Sequence, residues 1–101
     1  MPFTVELREG VHERPAIQRL PGVVLPLDRI EEEKWRFPVL RGLDPYSDTY
    51  FGQLQMKDLF EELTALAQDF EGDTRTTLER LIDLAEMGSS HSHHYLVFLA
   101  D

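Results

Sequence analysis

The chain ends in HHYLVFLAD, and this stretch limits the fold more than any other. Read as a strand, it sets Tyr95, Val97 and Leu99 on one face and Leu96, Phe98 and Ala100 on the other, because successive side chains alternate across a pleated strand. Both faces are apolar. Such a strand belongs in the middle of a sheet, shielded from water front and back.

One face has an evident cover. Met56, Leu59, Phe60, Leu63, Ala67 and Phe70 fall at spacings of three and four, which is the stripe of an amphipathic helix. Gly72 is expected to end it, and Asp73 or Thr74 to cap a second helix. Leu78, Leu81, Ile82 and Ala85 repeat the period, with Gly88 placed as a C-terminal stop. The short connection makes the pair an antiparallel hairpin. A chain of 101 residues builds one domain with one core, so the hairpin covers one face only. Residues 11–36 or a second copy of the chain are expected over the other.

The first half is less periodic. Phe3, Val5 and Leu7 alternate with Thr4, Glu6 and Arg8 as a half-buried strand that Gly10 ends. Residues 11–22, with Pro15 and Pro21, read as an irregular connection, and Val23–Leu25 as a short edge strand closed by Pro26. Asp28 with Glu31 three residues on resembles a capping box, which predicts a short helix to about Trp35. Phe37–Leu43 reads as another strand, with Pro38 confining it to an edge. The expected class is α+β: a small mixed or antiparallel sheet of three to four strands, with the helical hairpin on one face.

Charge narrows the partners. The net charge is −9, unevenly spread. Residues 57–101 hold ten carboxylates against Lys57, Arg75 and Arg80, whereas residues 1–56 hold nine against seven cations. That field opposes nucleic acids and anionic membranes and favours a basic protein. No cysteine is present, so disulfide and thiolate chemistry are excluded. The opening MPFTVELREG has no basic segment leading into an apolar one, and no apolar run reaches bilayer length. The expectation is a soluble cytoplasmic protein.

DPYSDTYFGQLQ, residues 44–55, is the least generic stretch. Asp44 and Pro45 suit the first positions of a type I turn, and Asp48 or Thr49 suits a helix cap. Tyr46, Tyr50 and Phe51 are expected to pack at the corner, with Gln53 or Gln55 meeting loop backbone groups. The readings in order are a structural corner, a recognition loop built on Asp44, Tyr46, Asp48, Tyr50 and Gln55, and acid–base catalysis by Asp44 and Asp48. His91 and His93, two apart on the last strand, are weak metal candidates without HExxH or cysteine–histidine spacing. Ser89 and Ser90 beside His91 lack a nucleophile elbow. No glycine-rich phosphate cradle exists. No cofactor is expected. Asp58, Glu61, Glu62, Glu79 and Asp83 form a candidate acidic helical face; like charges four apart cost a helix about 0.2–0.5 kcal/mol per pair.

Asp44, Pro45, Tyr46, Asp48, Thr49, Phe51, Leu54 and Gln55 match a DPYxDTxFxxLQ pattern, and His93, Tyr95, Leu96, Phe98 and Asp101 match an HxYLxFxGD ending. Residues 43–101 thereby resemble a group of short bacterial proteins of unknown activity. Ala100 departs from the glycine of that ending. The resemblance implies a cytoplasmic bacterial protein and carries over no activity or catalytic residue. The expected function is a non-enzymatic interaction module, such as an immunity or antitoxin-type inhibitor of a basic protein. The alternatives are a self-associating homodimer, and a small metal protein or enzyme using His91 and His93 with loop carboxylates.

Overall fold

The computed structural model describes residues 2–10, 16–90 and 93–100. Four strands and three α-helices follow in the order β1 (Phe3–Glu9), β2 (Gln18–Val23), α1 (Leu27–Glu32), a single 3-10 turn (Leu40–Gly42), β3 (Thr49–Phe51), α2 (Gln53–Ala67), α3 (Gly72–Ser89) and β4 (His94–Ala100). The sheet order is β2-β1-β4-β3 and every pairing is antiparallel. The class is α+β, as the hydrophobic periods require. No helix among the described residues is long and apolar enough to cross a membrane.

β4 lies inside the sheet, between β1 and β3. Val5 pairs with Phe98 and Leu7 with Leu96, so these side chains share one face with Phe3. α2 and α3 form an antiparallel hairpin over that face through Met56, Leu59, Leu63, Leu78, Leu81 and Ala85, all buried. Phe98 is gripped edge-on by Phe3 and Phe51, with ring centroids 6.0 and 5.6 Å away. Gly88 is not a helix stop. α3 runs on to Ser89, and a Cβ at Gly88 would lie 2.9 Å from Met56 Cε and 3.2 Å from Leu7 Cδ1. The missing side chain leaves room there for Met56 of α2 and Leu7 of the sheet. Gly72, expected to end the first helix, opens the second at φ +68°. Neither Asp73 nor Thr74 caps it: Glu71 holds that position.

On the opposite face Glu6 pairs with Val97 and Tyr50 pairs with Val97 from the other side. Val97 is completely buried within the single chain. Part of segment 11–36 does reach this face: Arg19 of β2 lies opposite Glu6. Leu25, Ile30, Phe37 and Leu40, farther along the chain, join the core cluster that contains Leu96 and Phe98. Glu6 is bound by Arg8 at 2.6 Å and by Arg19 of β2 at 3.3 Å, and the Tyr50 hydroxyl lies beside Arg8. Long side chains on the flanking strands, of the kind whose apolar stems cover neighbours, thus lie beside Val97. A second copy is not needed to bury it.

Three expectations in the first half are corrected. Residues 18–23 form a strand where an irregular connection was expected, and Val24 beyond it is 62% exposed. β2 tolerates Pro21 because it is an edge strand, and its register shifts opposite Phe3 and Val5. The short helix expected after Pro26 is present, at Leu27–Glu32, but it stops before Trp35 and Asp28 supplies no side-chain cap. Phe37–Leu43 is not a strand. The Glu62 carboxylate accepts the Val39 N–H at 3.0 Å and the Leu40 N–H at 2.9 Å, and Pro38 has no N–H to offer a ladder. A 3-10 turn forms instead, closed by the Gly42 N–H on the Val39 carbonyl at 3.1 Å and the Leu43 N–H on the Leu40 carbonyl at 3.0 Å.

Candidate interaction surface

The DPYSDTYFGQLQ stretch is a corner held by its own polar groups. Asp44 Oδ1 accepts the Tyr46 N–H at 2.8 Å, and its Oδ2 accepts the Ser47 hydroxyl at 3.0 Å. Asp48 caps no helix. Its Oδ1 accepts the Ala100 N–H at 3.0 Å, serving the end of β4 beyond the reach of β3. Thr49 opens β3 rather than capping α2. Gly52 holds the N-cap position of α2, and Gln55 Oε1 reaches back to the Gly52 N–H at 3.1 Å. The two aspartates expected for acid–base work are thus engaged in holding the turn and the strand end.

Of the three aromatic residues in this corner only Phe51 is buried; Tyr46 is 83% and Tyr50 43% exposed, and nearby Leu54 is 94% exposed. Tyr50, Gln53, Leu54, Gln55, His93 and Tyr95 converge on an open cleft of about 510 Å³ between β4 and the start of α2. The structure therefore gathers Tyr50 and Gln55 with His93, residues from opposite ends of the sequence pattern. Leu54 was not singled out as a site residue. Its near-complete exposure at the second position of an amphipathic helix is legible only once the phase of that helix is fixed.

The metal reading does not gain support. His91 lies outside the described residues. His93 precedes β4 with φ +68° and is not on the strand; its C=O accepts the Gly10 N–H at 2.6 Å. Among the described residues no group of three or more His, Asp or Glu side chains could hold a metal ion. Ser89 and Ser90 both donate to the Glu86 carbonyl, at 2.8 and 3.1 Å.

The acidic face divides in two. Glu62 leaves it: the side chain is buried against residues 39 and 40. Burial pushes its carboxyl above the ordinary Glu value; the Leu40 and Val39 N–H groups pull the other way, and nearby Asp58 raises it further. Asp58, Glu61, Glu79 and Asp83 stay exposed on the hairpin. Glu79 and Asp83 line a furrow of about 280 Å³ between α2 and α3, together with Phe60, Thr64, Ala67 and Ile82.

Ion pairing is lopsided along the chain. Arg8 and Arg19 hold Glu6, and Arg29 and Arg36 together grip Glu33 and Asp69, tying α1 to the hairpin turn. Lys34 lies 3.9 Å from Glu31. The Arg36 guanidinium, then that of Arg29, holds the Glu33 carboxyl below the usual Glu range. On the hairpin itself the pair between two of its own side chains is Arg75 with Glu79, at 4.0 Å. Five cations of the first half, Arg8, Arg19, Arg29, Lys34 and Arg36, are thus paired with carboxylates, while Asp58, Glu61 and Asp83 of the hairpin face solvent. Comparison with known protein families, with curated proteins and with solved structures finds no match.

Proposed function

We propose that this chain is a protein-recognition domain whose partner is basic, acting by occupying that partner's surface as an immunity or antitoxin-type inhibitor does. One observation carries the reading. Arg8, Arg19, Arg29, Lys34 and Arg36 are each engaged by carboxylates of the same chain, so the −9 charge is expressed largely on the helical hairpin. A surface of that kind steers cationic partners and repels nucleic acid. The exposed Tyr46, Tyr50 and Leu54 add apolar contact area of the type that anchors interfaces.

The test is affinity capture from the source cell with the wild-type chain and with Asp58→Lys/Glu61→Lys. A basic protein retained by the wild type and lost from the double variant supports the reading. Its retention should weaken as salt rises from about 0.05 to about 0.3 M, since exposed charges are screened over that range. Recovery of no basic protein, or of one indifferent to both changes, overturns it. Sedimentation at micromolar concentration separates self-association: a dimer without a basic partner would replace this reading with a homodimeric one.

A further inference from the structure

We infer that the furrow between α2 and α3, on the side of the hairpin turned away from the sheet, seats a cationic amphipathic helix supplied by the partner. This rests on the reading above and adds which element of the partner docks, and where.

Both chemistries such a helix needs are present in one place. The floor is apolar: half-buried Phe60 and Ile82, with Ala67 between the helices. Thr64 adds no free hydroxyl hydrogen, because its Oγ1 donates to the Phe60 carbonyl at 2.8 Å. The α3 rim carries Glu79 and Asp83, one turn apart, and the α2 side ends in Gln68. Like charges at that spacing oppose α3 until a cation lies between them. Among the described residues Arg75 is the cation lining the furrow; its 4.0 Å separation from Glu79 leaves that carboxylate open to a closer partner.

Geometry selects a helix as the occupant. A furrow between two antiparallel helices is straight, and it accepts the side-chain ridge of a third helix by the packing that joined the first two. Strand addition belongs to sheet edges, and the furrow is bounded by helices alone. Charge selects against a second copy, which would bring another −9 to the same acidic rim.

The experiment uses the full chain and two synthetic peptides of about 18 residues, long enough to present several helical turns. One carries leucines at helical spacing with lysines elsewhere; the other is a scrambled isomer of identical composition. Binding is followed by calorimetry and by amide chemical shifts. The amphipathic peptide is expected to shift Phe60, Thr64 and Ile82, and to bind about tenfold or more tighter than its isomer. Glu79→Lys/Asp83→Lys should weaken it about tenfold or more, and Glu71→Lys/Asp73→Lys, of equal net charge but away from the furrow, about threefold or less. All four positions are exposed, so unchanged melting curves will confirm that the variants fold.

Equal binding of the two peptides, or equal weakening by the two double variants, would reduce the furrow to a bystander of long-range charge. The basic-partner reading would survive that result. Shifts confined to Tyr50, Leu54 and Tyr95 would move the seat to the cleft beside β4 and overturn the furrow. Failure of both peptides to bind would count against the furrow and the basic partner together.

Discussion

The two faces of β4 are kept from water to different extents and by different neighbours: Val97 is fully buried on the outer face, but Tyr95 and Leu99 beside it are only half-buried. Leu96 and Phe98 lie on the helix-covered face, in a cluster of apolar side chains, and they are fully buried. Val97, between them in sequence, is just as fully buried on the other side. There the flanking residues are Glu6, Tyr50, Arg8 and Arg19, joined by ion pairs. Long side chains with anchored heads on neighbouring strands suit such a position, because their apolar stems can lie over it. The comparison also shows why apolarity on both faces of a strand does not by itself imply a dimer.

The largest effect should come from the helix side. Phe98→Ala removes the ring gripped by Phe3 and Phe51 and should cost about 3–5 kcal/mol in denaturant unfolding. A loss no greater than that for Val97→Ala, expected at about 1–2 kcal/mol, would erase the difference between the faces.

Next comes the polar contact that helps the helix side close. Glu62→Ala leaves the Val39 and Leu40 N–H groups buried without their acceptor, at a cost of about 1–3 kcal/mol. Glu62→Gln keeps one acceptor oxygen and should cost less. Equal losses would mean that the carboxylate's charge, rather than its hydrogen bonds, holds residues 37–43.

On the outer face Arg8→Ala should cost about 1 kcal/mol and Arg8→Met about 0.5 kcal/mol or less, because methionine preserves the stem over the sheet. If Arg8→Met is as damaging as Arg8→Ala, the cover works through charge and the stem account fails.

The smallest effect is the pH dependence, where two glutamates act in opposite directions. The Glu62 carboxyl titrates above its unfolded value, so the native state binds the extra proton, and stability falls as pH climbs from the ordinary Glu range to that raised value. Glu33 titrates below its unfolded value; its contribution is present above the ordinary range and disappears as pH falls toward the lowered value. Denaturation midpoints measured across the acid range should lose the first trend in Glu62→Gln and the second in Glu33→Gln. A profile unchanged by either substitution would remove both assignments.

Much of the fold was legible because much of it is set by local periodicity. The stripes of α2 and α3, the alternation in β1 and the doubly apolar β4 each encode a face, and each face found its place. β2 and β3 were not legible. Residues 18–23 contain Pro21 and Gly22 and show no alternation; they extend because β1 has an edge to pair with. Thr49–Phe51 is a strand of three residues, too short for a period, and exists because β4 has its other edge open. For the candidate surface, position along α2 distinguished Asp58 and Glu61 from nothing, whereas the packing of residues 37–43 turned Glu62 from a surface acid into an internal acceptor. The meeting of Tyr50, Gln55 and His93 was equally hidden, since the whole helical hairpin separates the first from the last.

The sequence by itself determined which faces of which segments must avoid water, because hydrophobic spacing at 3.6 or 2 residues fixes a face before any partner is chosen. It also determined the acidic bias of the second half. Only the tertiary structure decided which backbone donors the edge strands and Glu62 would satisfy, which cations the first half would neutralise, and which acids would remain at the surface. Those outcomes depend on hydrogen bonds and ion pairs between groups far apart in the chain, and a linear pattern carries no record of such distances.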